Sequence, residues 1–251
     1  MQVTFLGTGS AMPTVSRVQT GLLLTSAGRS LLVDCGSGVL HRLARTSVGC
    51  EGVSSVLLTH HHLDHLSDLM ALLKARWLAG EEYLEIVGPT GTKQVIDGLV
   101  SVHSYLDGRV DLRIRDVTAG QSFEVAGFGI ESYETRHSMD GLAYRFADST
   151  DEQAVFAFSG DSEAFAGMGR FANDCRVLAH DCSFPDGVDV SGHPTPTQLG
   201  DALAGCSVDR LYLTHLFPHT DGNHEEMRQA VTTAGFAGEV RIARDGLRLT
   251  V

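Results

Sequence analysis

The sequence predicts an α/β protein in which two mixed β-sheets are covered by helices. Three observations lead to this fold class. Short apolar runs that end at Gly, Ser or Thr recur along the chain and are typical of buried strands. Segments with a helical spacing of apolar residues lie between many of these runs. No stretch has the composition of a linker, so we expect residues 1–251 to form a single domain.

The first half of the chain begins with strands and then alternates between helices and strands. We predict the first strands at VTFLG, GLLLT and SLLVDCG, and a helix at GVLHRLAR. The next strand is VSSVLLTH, and the next helix is HLSDLMALLKARWLAG, which ends at Gly80. A strand at YLEIVGP stops at Gly-Pro, and a helix at GTKQVIDGLVSVHSYL completes this half.

The second half starts with a β-rich region. We predict its strands within VDLRIRDV, QSFEVAGFGIESYETRH, GLAYRFAD and AVFAFSGD. Strands at CRVLAHD and DRLYLTH then alternate with helices at TPTQLGDALAG and NHEEMRQAVTTAG. The final run, EVRIARDGLRLTV, is predicted to be a hairpin.

Composition and charge limit the classes of function. The chain has 31 Asp and Glu against 19 Lys and Arg, a net charge of -12, which disfavours broad binding to a polyanion. A phosphate ester at a metal centre is still admitted, because a bound cation reverses the local field. The 5 scattered cysteines do not indicate a disulfide framework or a CxxC zinc site. With no candidate membrane span or signal peptide, we expect a cytoplasmic protein.

The segment SVLLTHHHLDHLSDL crowds histidines and aspartates behind a short apolar run. Side chains alternate along the extended backbone after a strand, so His60 and His62 point the same way and can share one metal. His61 lies between them and should point elsewhere. Asp64 and His65 lie near the start of the next helix and can turn toward a second metal. This pattern is far more specific than a His-rich patch.

Further candidate ligands follow at predicted strand ends, namely His137, Asp161 and His215. Ligands at strand ends converge on one edge of a sheet, and Asp161 is the natural choice for a bridge between two metals. Imidazole and carboxylate groups without a nearby thiolate suit two Zn²⁺ ions, with Mn²⁺ or Fe²⁺ as alternatives. Asp68, one turn beyond Asp64, is interpreted as structural or as an outer support for a ligand.

With these motifs the sequence resembles the metallo-β-lactamase superfamily, and within it the ribonuclease Z branch of metal-dependent phosphodiesterases. The segments that carry the resemblance run nearly from end to end: FLGTGSAMPT, LLVDCGSGVLHRL, LTHHHLDH, IVGPTGT, RHSMDGLAYRF, AFSGDS, VLAHDCSF, SGHPTPTQ and LYLTHLFPHT. The resemblance implies a four-layer αββα sandwich, a dinuclear zinc site and a homodimer.

The resemblance also implies a role for each site residue. The seven implied metal ligands are His60, His62 and His137 for one metal, Asp64, His65 and His215 for the other, and the bridging Asp161. A hydroxide between the metals would attack phosphorus, with Asp64 as its base or orienting group. His193 would donate a proton to the leaving oxygen, and Asp181 would orient His193. Arg17 either contacts a substrate phosphate or is an ordinary surface arginine.

Three departures from the branch affect the expected substrate. The long arm that clamps tRNA in ribonuclease Z enzymes cannot fit between His137 and Asp161. Asp181 stands where the branch usually has Glu, which is one methylene longer, so its relay to His193 could be weaker or rearranged. His219 stands where the branch has a phosphate-binding arginine, and His is a weaker phosphate clamp than the fork of an arginine.

These observations favour a dinuclear zinc phosphodiesterase that cleaves a small phosphodiester, such as a cyclic or short nucleotide. A tRNA 3′-end endonuclease that borrows an arm from a dimer partner is a less favoured alternative. Cleavage of a β-lactam or a thioester is disfavoured by the Asp64-His65 pair and the His193 motif. A hypothesis of another class is a metal-binding regulatory protein without turnover.

Overall fold

The computed structural model describes residues 1–12, 14–148, 154–188 and 190–251. In these residues the first sheet begins with six strands: β1 (Gln2–Gly7), β2 (Gly21–Ser26), β3 (Arg29–Val33), β4 (Ser55–Leu57), β5 (Tyr83–Pro89) and β6 (Asp111–Val117). They lie side by side in chain order. The pairs from β3 to β6 are parallel, and β2 is antiparallel to both of its neighbours, β1 and β3.

The second sheet repeats this arrangement. It contains β7 (Ser122–Val125), β8 (Phe128–Glu134), β9 (Leu142–Asp148), β10 (Ala154–Phe158), β11 (Val177–Asp181), β12 (Arg210–Thr214) and β13 (Glu239–Ile242), again side by side in chain order. The pairs from β10 to β13 are parallel, and those from β7 to β10 are antiparallel. Strands β4, β10 and β12 of the parallel halves end where most of the predicted ligands lie, and His137 follows β8 of the antiparallel half.

The predicted C-terminal hairpin is wrong. The last strand, β14 (Arg248–Thr250), leaves β13 and pairs antiparallel with β1 in the other sheet, while β13 pairs parallel with β12. The crossing is held by two backbone hydrogen bonds of Phe5, from its N to Leu247 O (2.9 Å) and from Gly246 N to its carbonyl (2.7 Å). Each of the two strands therefore pairs at a free edge, β13 in the second sheet and β14 in the first.

Helices cover the outer face of each sheet. Helices α1 (Val39–Leu43), α2 (Leu63–Leu66), α3 (Leu69–Leu78) and α4 (Thr92–Val102) pack on the first sheet, and α5 (Ala166–Ala172), α6 (Pro196–Ala202) and α7 (His224–Thr233) on the second. The predicted αββα sandwich is confirmed. No helix among the described residues is long and apolar enough to span a membrane.

The single helix predicted after the metal motif is two helices. The break falls at Asp68, the residue before α3, whose backbone N–H donates to Cys35 O (2.9 Å) and whose Oδ2 accepts from Leu40 N (2.9 Å). Because the chain is tied to the β3–α1 loop there, α2 is one short turn that carries Asp64 and His65.

A core rich in aromatic rings lies between the sheets and includes Phe5, Tyr144, Phe146, Phe156 and Tyr212. Burying one such ring contributes about 1.5–3 kcal/mol. The buried Tyr144 on β9 also donates its hydroxyl hydrogen to Leu58 O of the loop after β4 (2.8 Å). This bond joins the second sheet to the segment that carries the metal motif.

Candidate metal centre

The loop after β4 presents His60 and His62 to the same space. His62 has an extended backbone (φ -64°, ψ 148°), and its Nδ1 lies 3.0 Å from His60 Nε2. His61 points the other way, as predicted, and its Nε2 lies 2.7 Å from Thr92 Oγ1. That hydroxyl donates to Pro89 O (2.7 Å), so His61 Nε2 is the donor in the contact.

The first group of candidate ligands consists of His60, His62, His137 and Asp161. His137 follows β8, and its Nε2 lies 3.1 Å from His62 Nδ1. Asp161 follows β10, and its Oδ2 lies 3.7 Å from His60 Nε2 and 3.9 Å from His137 Nε2. Three imidazoles and one carboxylate thus converge from three separate elements.

The second group consists of Asp64, His65, Asp161 and His215. His215, directly after β12, has its Nε2 3.1 Å from Asp64 Oδ2 and 3.3 Å from Asp161 Oδ2. His65 Nε2 lies 3.2 Å from Asp161 Oδ1. Asp161 therefore belongs to both groups, and the structure brings together all seven predicted ligands. Their binding of metal stays a prediction.

Two observations show that these residues fit metal ions. With Zn–N bonds of about 2.0–2.1 Å, tetrahedral ligand atoms lie roughly 3.3 Å apart, close to the spacing of the three ring nitrogens in the first group. In the second group, His65 Nε2 and Asp161 Oδ1 are buried and face each other at 3.2 Å, but neither forms a well-directed hydrogen bond among the described residues. Buried atoms of this kind normally have a partner, and a cation supplies one.

The candidate ligands are oriented by a surrounding set of hydrogen bonds. Asp34 Oδ2 lies 2.8 Å from His65 Nδ1, Gly192 O lies 3.0 Å from His137 Nδ1, and Ser183 Oγ lies 2.9 Å from His215 Nδ1. Each contact uses the ring nitrogen remote from the ligand group, which leaves the other nitrogen to face a metal.

Asp34, which orients His65, was not among the site residues predicted from the sequence. Its buried carboxylate also accepts from Thr59 N and Thr59 Oγ1, both at 2.8 Å. The available signal was a lone aspartate directly after the strand in SLLVDCG. Asp68, for which the sequence suggested this kind of support, accepts instead from the backbone of Leu40.

Backbone strain accompanies the site. Asp34 (φ 60°) and His215 (φ 57°) are two of the few non-glycine residues in the left-handed region. Such residues persist where the surrounding structure over-determines them, and they cluster at functional sites.

The histidines and carboxylates of the second group strongly shift one another's pKa values. Burial disfavours the charged form of His215, but Asp161, Asp181 and Asp64 raise the pKa of His215 to about 10. Burial also disfavours charge on Asp161, yet His215 and His65 hold the pKa of that carboxyl well below its usual range. The carboxylates therefore create a negative field that favours a cation at this position.

His193 and Asp181 form a dyad beside the two groups. Asp181 Oδ2 lies 2.7 Å from His193 Nδ1, so the shorter carboxylate side chain still reaches the histidine. Ser183 Oγ donates to the other oxygen of Asp181 (2.6 Å) and fixes the carboxylate. Burial lowers the pKa of His193, but the bond to Asp181 outweighs it and raises that pKa above its ordinary value. A histidine held in this way can carry a proton at neutral pH.

The two predicted substrate-binding residues lie in different places. His219 is exposed, and its ring centre lies 5.5 Å from that of Phe184. The Phe184 ring is in turn 6.1 Å from that of His193, so His219 lies on the dyad side of the site. The guanidinium of Arg17 is buried and donates through Nη1 to Thr8 Oγ1 and Ala243 O, both at 2.6 Å. Arg17 belongs to neither ligand group.

Comparisons with known proteins agree with this geometry. The family model of the anti-Pycsar protein Apyc1 matches residues 1–239. The ribonuclease Z of Mycobacterium avium (strain 104) is 30% identical over 277 aligned residues, which cover 100% of this chain and 98% of the relative.

Two solved structures have the same fold. The metallo-β-lactamase fold protein YhfI from Bacillus subtilis superimposes with a TM-score of 0.84 at 27% identity, covering 99% of this chain and 98% of YhfI. The short form of human tRNase Z has a TM-score of 0.80 at 22% identity, covering 100% of this chain and 99% of that protein.

Proposed function

This chain belongs to the family of the anti-Pycsar protein Apyc1 and, with its ribonuclease Z relatives, to the metallo-β-lactamase superfamily, and from that premise we propose that it is a dinuclear zinc phosphodiesterase for a small phosphodiester. That it is a metal-dependent hydrolase follows from the family; the two zinc ions and the size of the substrate are the proposal. The observation that carries it is the pair of ligand groups that share Asp161, with a histidine–aspartate dyad beside them.

These contacts support a proposed role for each candidate ligand. The first zinc would be held by His60, His62 and His137, the second by Asp64, His65 and His215, with Asp161 between them. When bound, two zinc ions supply a water nucleophile of lowered pKa and positive charge for the phosphoryl oxygens. The Asp64 carboxylate, whose Oδ2 lies 3.1 Å from His215 Nε2, is the base that would accept a proton at this group.

His193 is the proposed general acid. Its Nδ1 donates to Asp181, and the raised pKa of His193 favours the imidazolium form, in which Nε2 also carries a proton that it can give to the leaving oxygen. The His193 ring lies 4.9 Å from that of His137 and 5.4 Å from that of His215 between centres, within reach of a substrate held at either group. The anchored Asp181 keeps the ring in one orientation, and it keeps the proton on Nδ1 after Nε2 has given up its own.

A compact substrate is supported by the segment between His137 and Asp161. Residues 142–148 and 154–158 of this segment are strands β9 and β10 of the second sheet, which leaves little chain for a substrate-binding arm. A cyclic or short nucleotide fits this constraint. The acidic balance of the chain also disfavours a large polyanion.

The experiment is hydrolysis of bis(p-nitrophenyl) phosphate by the purified chain with zinc, with manganese and after chelation. We expect metal-dependent turnover, and metal analysis should give two ions per chain. If the chain binds metal but shows no turnover with any of the metals, the proposed phosphodiesterase activity is refuted. A metal-binding regulatory protein is then favoured. A preference for manganese or iron would correct the metal and leave the mechanism intact.

His193→Ala tests the general acid. Loss of this group should lower kcat by about 10²–10⁴-fold while metal content stays at the wild-type level. His41→Ala, a change of an exposed histidine in α1, is the matched control and should leave kcat unchanged. Loss of metal in the His193 variant would contradict its role as an acid.

The second candidate function is cleavage of pre-tRNA at its 3′ end, favoured by the names of the ribonuclease Z relatives. A side-by-side assay with cyclic nucleotides, dinucleotides and pre-tRNA separates the two. Higher kcat/KM for pre-tRNA would overturn the small-substrate proposal. A homodimer and a cytoplasmic location are also proposed from the family, and light scattering of the purified chain tests the first.

A further inference from the structure

A cleft lies where α7, β13 and the turn before β14 meet. Its volume is about 560 Å³. The cationic and aromatic side chains that line it are Arg17, Tyr212, His224, Arg228, Arg241 and Arg244. None of the seven candidate metal ligands lines this space, which we call the arginine cleft.

Positive charge in the arginine cleft exceeds negative charge. Glu225 pairs with Arg228 at 2.7 Å, and Glu239 pairs with Arg241 at 2.7 Å, so these two lining carboxylates are already compensated. Arg244 is exposed and has no ion-pair partner among the described residues. In a chain of net charge -12, such an excess on one cleft is a local exception.

Arg17 adds a buried cation to this cleft. Its Nη1 makes both hydrogen bonds, to Thr8 Oγ1 and Ala243 O, and its Nε and Nη2 have no hydrogen-bond partner in the described parts of the chain. Asp221 and Asp245 are near enough to affect its charge, but neither forms an ion pair with it within 4.0 Å. Donors of a buried guanidinium thus remain available to a ligand in the cleft.

Two buried polar groups at this cleft are incompletely paired. Tyr212 is 1% exposed; the Arg241 guanidinium can donate to its hydroxyl oxygen, but the hydroxyl hydrogen has no acceptor in the described structure. His224 Nε2 is buried and has no partner there. Leaving a buried group of this kind unpaired is unfavourable for folding.

We propose that the arginine cleft binds a small phosphorylated anion at a site separate from the metal centre. Guanidinium groups and a phenol hydroxyl donate hydrogen bonds, and His224 can donate from Nε2. The complementary ligand therefore carries several hydrogen-bond acceptors that point in different directions. A phosphoryl group has this property and matches the fork of arginine. The cleft can take it as inorganic phosphate or as the phosphate of a nucleotide.

The test is calorimetric titration of the zinc-loaded chain with inorganic phosphate and, separately, with adenosine monophosphate. The double variant Arg241→Gln, Arg244→Gln should bind at least one of these anions about tenfold more weakly, or lose one class of sites. The double variant Arg113→Gln, Arg170→Gln, which changes two exposed arginines elsewhere, is the control and should bind as the wild type does. Equal binding of both anions by the wild type and the cleft variant overturns the proposal.

Tyr212→Phe provides a second readout that does not depend on charge. Without anion this variant should be about as heat-stable as the wild type, because the hydroxyl hydrogen it removes has no acceptor. With saturating phosphate the wild type should gain more in Tm than the variant, since the hydroxyl then has a partner. Hydrolysis of bis(p-nitrophenyl) phosphate should be unchanged in both cleft variants. An equal gain in Tm in the wild type and in Tyr212→Phe would count against a ligand at this hydroxyl.

Discussion

Replacing Asp34 by Asn should weaken metal binding at the second ligand group without unfolding the protein. Asp34 lies 2.8 Å from His65 Nδ1 and holds that nitrogen protonated, so that Nε2 is free to bind a metal. Asparagine has the same shape and tolerates the left-handed backbone that residue 34 adopts (φ 60°). The variant therefore changes the hydrogen bonding and charge of one group and little else.

The magnitude follows from the two orientations open to the new amide. If its NH₂ faces His65, it donates to Nδ1 and moves the ring proton to Nε2, the atom needed by the metal. If its oxygen faces His65, the NH₂ opposes Thr59 N–H, which Asp34 now accepts at 2.8 Å, and leaves a buried donor unpaired at a cost of about 1–3 kcal/mol. Loss of such an outer ligand partner typically lowers metal affinity by about 10–100-fold, or roughly 1.4–2.8 kcal/mol.

The assay is competition for zinc between the protein and a chromophoric chelator. Asp34→Asn should lose about 10–100-fold in affinity at one of the two sites. Asp68→Asn is the matched control, because Asp68 contacts the same β3–α1 loop but its carboxylate accepts from the Leu40 backbone. The zinc affinity of this variant should stay at the wild-type value. The reasoning is refuted if Asp34→Asn binds zinc as tightly as this control at both sites.

Two further predictions concern the frame that carries the motif. Tyr144→Phe leaves Leu58 O without its buried partner and should destabilise the fold by about 1–3 kcal/mol, or roughly 2–12 °C in Tm, measured by thermal unfolding of the metal-free chain. An unchanged Tm would show that the bond between the sheets contributes nothing. Gly36→Ala places a Cβ 2.0 Å from Asp64 O, so α2 must shift. We expect a loss of about 1–3 kcal/mol together with reduced zinc content, and wild-type values of both would contradict the predicted clash.

Local patterns predicted most of the secondary structure. The YLEIVGP run is β5 from Tyr83 to Pro89, and α7 falls inside the segment predicted for it. Both are cases in which the period of apolar residues and a terminating Gly or Pro decide the element. Long-range competition decided the exceptions: β14 pairs with β1 because the first sheet offers it a free edge, and nothing in EVRIARDGLRLTV encodes that edge.

The sequence by itself determined the chemistry of the site: which imidazoles and carboxylates are available, that they follow strands, and that the family is one of metal-dependent hydrolases. Only the tertiary structure decided which groups orient them. Asp34 and His65 are 31 positions apart, and their 2.8 Å contact depends on how the β3 and β4 loops pack. The same holds for Asp181, which reaches His193 despite its shorter side chain, and for Arg17, whose guanidinium lies at the arginine cleft. Hydrogen bonds depend on distances of a few tenths of an ångström, and the packing of two sheets sets those distances, whereas apolar periodicity along the chain does not.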